Sequence, residues 1–265
     1  NAKFGVAHFQ IKEAYEKAKM YGAKRFGIHM MTGSCVMRNA YWVETVSRML
    51  DTVAMLRKEL HIEFEYINVG GGIGCPYEPG QVGVDIASLV TTMRETFDKK
   101  IAEHGMPEPT LHMENGRYMT GPFGYLVSRC EAVKNSYQVY FGLDSCMANL
   151  MRPGMYGSYH HITVPKYEED GNGDTCERSP ANVVGTLCEN NDWFAKDRSL
   201  PSAAGKGDLF VIHDSGAHSH SMGFQYNGKL RAPEVLLRKD GHTVSLIRHR
   251  ETIEGLYANC VDIDI

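Results

Sequence analysis

The feature that most constrains the fold is a regular alternation of helical and strand patterns in the first part of the chain. Three segments with apolar side chains three and four positions apart predict helices, and three short apolar runs predict buried strands. The predicted helices are residues 11–21, 40–60 and 86–104, and the predicted strands are residues 25–30, 64–69 and 110–115. Strands that alternate with helices form parallel sheets, because each helix carries the chain back to the start of the next strand. The first part is therefore predicted to be an α/β domain.

The second part of the chain has a different pattern. After about residue 124 it consists of short runs rich in β-branched and aromatic residues, separated by turn residues and without a long helix. We predict an antiparallel β domain, a β-sandwich or β-barrel-like unit of residues 125–265, after an α/β domain of residues 1–124. A (β/α)8 barrel needs eight strand–helix units, and we count only about three. The sheet is thus either open or the later part of a barrel.

Composition excludes several classes of protein. The 28 Lys and Arg against 32 Asp and Glu give a net charge of −4, which argues against nucleic-acid and membrane-surface partners, since those need concentrated positive charge. No apolar run approaches the roughly 18–20 residues that cross a bilayer. The seven widely spaced cysteines indicate thiols in a reducing, cytoplasmic compartment. Because residue 1 is Asn, we expect a processed start or part of a longer chain, which leaves an organelle open.

Residues able to bind ligands follow each of the three predicted strands. His29 and Ser34 come after the first strand, three glycines at 70–72 after the second, and Glu114 with Arg117 after the third. The carboxyl ends of parallel strands share one edge of a sheet, where α/β proteins place their sites. Glycine N–H groups could bind a phosphate there, Arg117 an anion and Glu114 a ring nitrogen. Each feature also has a structural interpretation: a core histidine, a tight turn and a Glu–Arg ion pair.

Polar clusters also occur in the second part of the chain. They lie at residues 144–147, 152–156, 188–192 and 213–220. His218 and His220 could share a strand face, but no carboxylate or cysteine lies at ligand spacing, so no metal site is predicted. Cys188 has no base near it in the sequence and by itself indicates an inert thiol.

Taken in order, these segments resemble the fold-type III decarboxylases that depend on pyridoxal 5'-phosphate (PLP), and among them the diaminopimelate decarboxylases. The matching segments are Lys3-Phe4-Gly5, Gly27-Ile28-His29 through Gly33-Ser34, residues 70–72, Glu114-x-Gly116-Arg117, Asp144, Arg152-Pro153-x-x-Tyr156-Gly157, Cys188-Glu189 with Asp192, Gly216-Ala217, Ser221-Met222 to Tyr226-Asn227, and Arg250-Glu251-Thr252. The resemblance covers nearly the whole chain. It implies a (β/α)8 TIM barrel followed by a β domain, with only the later barrel strands present here.

The resemblance also implies an activity and a cofactor. It indicates a carbon–carbon lyase that uses PLP to convert meso-2,6-diaminopimelate into L-lysine and CO2. An adjacent carboxylate keeps the ring nitrogen of PLP protonated, and Glu114 fits that role. The family's Schiff-base lysine lies on the first barrel strand, upstream of Asn1, so no lysine of this chain is assigned to it. The residues assigned to the cofactor are Ser34, Gly70, Gly71, Gly72, Glu114, Arg117 and His218.

Charge matching selects the substrate within this resemblance. Arg152 with Tyr156 would bind the distal carboxylate of diaminopimelate, Glu189 its distal ammonium, and Arg117 an acidic group of the substrate. Ornithine lacks that carboxylate and would leave Arg152 unpaired, at a cost of roughly 1–3 kcal/mol if buried. The family's counterpart of Cys188 comes from the neighbouring subunit and helps to protonate the product. A homodimer with shared active sites is therefore implied, with Cys188 as a catalytic residue.

Three positions depart from the family pattern. Met31 replaces the ring-stacking histidine, which leaves His29 as the only histidine of that motif and as its catalytic candidate. His218 replaces a tyrosine and Asn115 a proline. The missing lysine and the replacement of the stacking histidine by Met31 leave a second hypothesis, a non-catalytic homologue that binds or regulates a related decarboxylase. An ornithine or arginine decarboxylase of the same fold is a third.

Overall fold

The computed structural model describes residues 3–167 and 176–261. The chain divides into two compact units. The first comprises Asn1–Pro76 with Gln81–Met119, and the second comprises Tyr77–Gly80 with Thr120–Ile265. Each unit has its own cluster of buried apolar side chains.

The first unit is a parallel sheet whose strands alternate with helices. Its elements are α1 (Ile11–Met20), β1 (Phe26–His29), α2 (Asn39–Leu60), β2 (Phe64–Asn68), α3 (Ile86–His104) and β3 (Thr110–His112). The strands lie in the order β1-β2-β3, and Ile67 of the central strand faces Ile28 on one side and Leu111 on the other. All six predicted elements are present, and the parallel arrangement that we inferred from their alternation is confirmed.

Helix α2 supplies much of the core of the first unit. Trp42, Val46, Leu50 and Leu56 are completely buried along one face of the helix, as their spacing predicts. Burial of an aliphatic side chain of this size stabilises the fold by roughly 1.5–3 kcal/mol. The helix ends at Leu60, and His61 directly after it adopts the left-handed conformation with a φ of 51°.

The second unit is built around a six-stranded sheet and a separate hairpin. Its strands are β4 (Leu126–Asn135), β5 (Val139–Leu143), β6 (Ile162–Thr163), β7 (Arg178–Val184), β8 (Trp193–Pro201), β9 (Leu209–Ile212), β10 (Glu234–Leu237) and β11 (Val244–Arg248). Short helices are α4 (Gly116–Thr120), which begins in the first unit, α5 (Arg152–Tyr156) and α6 (Ile253–Leu256). The sheet has the order β6-β9-β4-β5-β7-β8, and β10 pairs with β11.

Two features of this sheet differ from the sequence-based prediction. The prediction of an antiparallel domain is wrong for one pair, because β5 and β7 run parallel, with Phe141 opposite Val183. The segment between them is long enough for the chain to return to the same end of the sheet, which a parallel pair requires. Strand β8 was not predicted. Asp197 interrupts its alternation with a left-handed φ of 46°, and buried residues lie side by side at both ends of the strand.

None of the described helices combines the length and the hydropathy that crossing a bilayer demands.

Candidate functional site

The carboxyl ends of the three parallel strands form one edge of the first unit, and backbone hydrogen bonds continue across that edge beyond the strands. The Met30 N–H donates to the Asn68 carbonyl at 3.0 Å, and the Glu114 N–H donates to the Gly70 carbonyl at 2.9 Å. These bonds hold the three loops side by side. The structure therefore brings His29, the glycine run and Glu114 to a single edge.

Glu114 is the acidic group of this edge. The Asn68 side-chain Nδ2 donates to Glu114 Oε1 at 2.7 Å, and His29 Nε2 lies 3.7 Å from the same oxygen. The side chains of Glu114 and His29 are 56% and 49% exposed. The carboxylate is thus held on one side and reachable by a ligand on the other.

The glycines at 70–72 are required by the close approach of neighbouring loops. A Cβ at Gly71 would collide with the carbonyl oxygen of Glu114, and one at Gly72 with the carbonyl oxygen of Gly33. Gly72 also has a φ of +104°, which side chains other than hydrogen rarely allow. The run therefore forms a cradle of bare backbone between the loops that follow β1 and β3.

Two backbone donors of the cradle have acceptors within the unit. The Gly70 N–H donates to Asn68 Oδ1 at 2.9 Å, and the Gly71 N–H points to the thioether sulfur of Met31 at 3.3 Å. A thioether is a weak acceptor, so a phosphate oxygen would compete well for the Gly71 donor. Met31, which replaces a histidine in the family pattern, contacts the cradle directly.

Arg117 and Ser34 form a second group of donors in the first unit. Arg117, the second residue of α4, donates from Nη2 to Ser34 Oγ at 3.3 Å. Asn115 Oδ1 next to this helix accepts the Ile73 N–H at 3.2 Å. Asn115 therefore anchors the loop after the glycine run by a side-chain hydrogen bond that the family's proline cannot make.

Arg152 lies in the interior of the second unit. It is 5% exposed, and its Nη1 donates to Tyr77 Oη at 3.0 Å and to His160 Nε2 at 2.8 Å. His160 Nδ1 donates to the His213 carbonyl at 2.8 Å, which leaves Nε2 as an acceptor and the ring neutral. In contrast, Tyr156, assigned to the same substrate group, is 62% exposed.

Asp192 organises the turn that carries Cys188 and Glu189. Its buried carboxylate accepts the Met147 N–H at 2.6 Å and the Leu187 N–H at 2.7 Å. Removal from water raises the pKa of the Asp192 carboxyl above its ordinary value of 3.8. The carboxylate thus fastens this turn to the loop after β5.

Cys188 and Glu189 line a groove of 440 Å³ within the second unit. Cys188 is exposed, and Asn227 Nδ2 donates to its sulfur at 3.7 Å. Glu189 Oε1 accepts the Asn191 N–H at 3.2 Å. The thiol can reach a ligand and has an amide donor beside it.

His218 occupies an exposed, left-handed position in the second unit, with a φ of 59°. Gly216, two residues earlier, is required by packing, because a Cβ there would collide with the carbonyl oxygen of Thr120. No cluster of three or more potential metal ligands occurs in residues 3–167 and 176–261.

Asn68 is the functional candidate that the sequence alone did not reveal. It ends β2, and its side chain contacts both Glu114 and the glycine run. Its position two residues before three consecutive glycines placed Asn68 near the end of a predicted strand. That position did not indicate which residues the side chain contacts.

Comparison with known proteins gives consistent results. Residues 41–216 match the family model described as "Pyridoxal-dependent decarboxylase, C-terminal sheet domain". Protein TabA of Pseudomonas amygdali pv. tabaci is 41% identical over 253 residues. Diaminopimelate decarboxylase of Methanothermobacter thermautotrophicus is 36% identical over 255 residues. Each alignment covers 96% of this chain and 58% of the relative.

A solved structure shows the same relationship. The crystal structure of diaminopimelate decarboxylase from M. jannaschii matches with a TM-score of 0.84 and 30% sequence identity, covering 99% of this chain and 58% of that one. The chain thus spans somewhat more than half of the length of these relatives and shares their fold over that part. The family resemblance expected from the sequence is confirmed: the chain belongs to the pyridoxal-dependent decarboxylases.

Proposed function

We propose that the protein containing this chain uses PLP to decarboxylate meso-2,6-diaminopimelate, releasing L-lysine and CO2. The observation that carries the proposal is the Glu114 carboxylate, held by Asn68 at the same sheet edge as the glycine cradle. Relatives named diaminopimelate decarboxylase support the substrate. Because the chain spans 58% of those relatives, the activity is proposed for the whole protein.

The residues of the first unit fit PLP at both of its ends. The cradle leaves no room for Cβ atoms, so the donors that it can offer a phosphate are backbone N–H groups. Arg117 and Ser34 add a guanidinium and a hydroxyl to the same set of donors. Glu114 offers the anionic acceptor that a protonated ring nitrogen needs.

When bound, PLP supplies an acceptor for the electrons released as CO2 leaves. The protein's part is to hold charges and protons in place. Glu114 keeps a proton on the ring nitrogen, and His29, whose Nε2 lies 3.7 Å from Glu114 Oε1, is proposed as the catalytic histidine. Arg117, Ser34, the glycine run at 70–72 and His218 are assigned to the phosphate, with the Gly70 N–H donating to Asn68 Oδ1 rather than to the phosphate. Arg117 is also assigned to an acidic group of the substrate.

We further propose that the second unit recognises the distal end of the substrate. A guanidinium has five N–H donors, of which Tyr77, His160 and Ser158 use three in Arg152. The proposal assigns the others to the distal carboxylate, together with Tyr156. Glu189 is assigned to the distal ammonium. An amino acid such as ornithine, which lacks the distal carboxylate, would leave these buried donors without an anionic partner.

Cys188 is proposed as the proton donor to the carbon that loses CO2, acting in a homodimer with shared sites. The thiol gives up its proton, which takes the place of CO2 on that carbon, and solvent reprotonates the sulfur. The exposure of Cys188 and the nearby Asn227 donor support this role. The proposal also includes a complete (β/α)8 barrel whose other strands and covalent lysine lie outside this chain, a domain boundary near residue 124, and a cytoplasmic location.

A second candidate is a homologue with a different amino-acid substrate or a regulatory role. The observation that favours it is the relative with 41% identity, which carries the name TabA rather than that of a decarboxylase. Met31 and His218 are further departures from the family pattern. Glu114, Arg117 and Cys188 weigh against a regulatory role, because a non-catalytic protein has no need of all three.

The test uses the complete polypeptide that contains this chain, loaded with PLP. Lysine and CO2 formation is measured with meso-diaminopimelate, L-ornithine and L-arginine, and borohydride reduction followed by mass spectrometry detects a covalent PLP adduct. We expect an adduct and turnover of diaminopimelate alone. An adduct with turnover of another amino acid would support the second candidate, and a protein that binds no PLP would refute both enzymatic proposals.

A further inference from the structure

Asn68 lies at the centre of the carboxyl edge of the first unit. It is the last residue of the central strand β2, opposite His29 of β1 and His112 of β3. Its backbone carbonyl accepts the Met30 N–H from the loop after β1 at 3.0 Å. Main-chain pairing on both sides therefore fixes where the Asn68 side chain begins.

The two ends of the Asn68 amide contact two different parts of the proposed cofactor site. Nδ2 donates to Glu114 Oε1 at 2.7 Å, and Oδ1 accepts the Gly70 N–H at 2.9 Å. A backbone N–H can only donate and an ionised carboxylate can only accept. Only this orientation of the amide satisfies both neighbours, so the assignment of oxygen and nitrogen follows from the hydrogen bonds.

We propose that Asn68 is a positioning residue that couples the carboxylate for the ring nitrogen to the cradle for the phosphate. This inference rests on the proposed function, since it gives Asn68 a task in binding PLP. By occupying Oε1, the amide leaves Oε2 of Glu114 for the ring. By holding the Gly70 N–H, it fixes the start of the glycine run, where Gly70 has a φ of +73°.

Two substitutions separate the two ends. Asn68→Asp keeps an oxygen for the Gly70 N–H but replaces the donor to Glu114 by a second negative charge. Asn68→Ala removes both contacts. In Asn68→Asp, the introduced carboxylate would lie beside that of Glu114, and the repulsion between like charges would raise the proton affinity of Glu114. His29 is the other titratable group that faces the same oxygen.

The experiment uses the complete polypeptide, with thermal unfolding to verify that each variant folds. PLP affinity is measured by absorbance titration, and the pKa of Glu114 is measured by NMR in PLP-free protein with labelled glutamate. We expect both variants to bind PLP about tenfold or more weakly, the effect of one lost hydrogen bond to a charged group. We also expect Asn68→Asp to raise the pKa of Glu114. Asn39→Asp, a matched change at the start of α2, where Asn39 contacts the Asp85 carbonyl, should alter neither quantity.

The outcomes distinguish this inference from the proposed function. Folded Asn68 variants with wild-type PLP affinity and an unchanged Glu114 pKa would overturn the coupling role while leaving the decarboxylase proposal intact. Wild-type protein that binds no PLP would refute the proposed function and, with it, the task given to Asn68. If Asn68→Asp does not fold, the PLP affinity of Asn68→Ala decides in the same way.

Discussion

Glu114 carries the most specific chemical expectation of any single residue. Replacing Glu114 by Gln keeps its size but removes the charge that retains a proton on the ring nitrogen. We expect kcat/KM for diaminopimelate to fall by about a hundredfold or more, in the range seen when a proton-transfer group is lost. The steady-state rate of lysine formation measures this effect.

The matched control is Glu108→Gln in the same unit. Glu108 is exposed and paired with Arg94, so its neutralisation should leave the rate within a factor of about two, since exposed ion pairs contribute little. Equal rates for Glu114→Gln and the control would show that Glu114 does not act in the reaction.

Asp192 gives a prediction about the pH dependence of stability. Its pKa is raised above 3.8 by burial, so the folded state binds this proton more tightly than the unfolded state does. The stabilisation that results is complete below pH 3.8 and is lost as the pH rises through the higher pKa of the folded protein. The wild-type free energy of unfolding, minus that of Asp192→Asn, should therefore decrease as the pH rises from about 3.8. The decrease should be about 1.4 kcal/mol for each pH unit that separates the pKa values of the folded and unfolded states.

Urea unfolding at a series of pH values measures this difference. Asp98→Asn, at an exposed position paired with Arg94, is the control variant. A difference that stays constant with pH would mean that burial does not raise the pKa of Asp192.

Sequence patterns predicted which residues lie at the sheet edge, but they did not predict the hydrogen bonds between them. His29, Glu114 and the glycine run could be placed together because the carboxyl ends of parallel strands must share an edge. The roles of Asn68 and His160 could not be predicted, because their hydrogen bonds join residues 46 and 53 positions apart. The burial of Arg152 was also unforeseen, since a charged residue gives no sign of its depth.

The glycine run is a structural element whose tight packing can be tested. In Gly71→Ala the new methyl group would collide with the carbonyl oxygen of Glu114, a main-chain atom of the residue whose N–H donates to the Gly70 carbonyl. We expect the substitution to lower the free energy of unfolding by about 1–3 kcal/mol, as overpacking typically does, and to weaken PLP binding. Chemical denaturation and PLP titration measure the two effects.

Gly205→Ala serves as the comparison, because a Cβ there meets no atom within 4 Å and the backbone is not left-handed. It should change the stability by no more than about 0.5 kcal/mol, as surface substitutions usually do. A fully stable Gly71→Ala protein would show that the loops are not packed as tightly as described.

Elements of the first unit were easier to predict than those of the second. A helix such as α2 repeats its buried positions over 22 residues, so a single residue that departs from the repeat does not obscure it. Strand β8 has nine residues, with a left-handed Asp197 that breaks the alternation. The direction of β7 relative to β5 depends on a long connection, and strand-length patterns carry no information about such a connection.

For the whole molecule, the shared-site homodimer makes a prediction about mixed subunits. Arg117→Ala and Cys188→Ala variants of the complete protein should each be nearly inactive. If Cys188 acts in the partner's site, a hybrid of the two variants contains one site with neither substitution and should regain activity. Mixing the purified variants, separating hybrids by a tag and measuring lysine formation tests this.

Mixing two batches of the same variant is the control and should restore nothing. Hybrid dimers that form but stay inactive would place Cys188 and Arg117 in the site of the same subunit.

The arrangement of the complete protein could be inferred from the sequence only through resemblance. Three strand–helix units are too few for a barrel, and composition cannot show whether other strands exist. The order of motifs from His29 to Asn227 supplied that information, because it matches a family whose members are longer than this chain. The family assignment is confirmed, and the barrel proposal extends it beyond the residues present.

The most direct measurement is a crystal structure of the complete protein with PLP bound. We expect the ring nitrogen within about 3 Å of a Glu114 carboxylate oxygen, the distance of a charge-assisted hydrogen bond, and the phosphate against the glycines at 70–72 and Arg117. A PLP molecule whose ring nitrogen contacts another residue, with Glu114 facing solvent, would contradict the account.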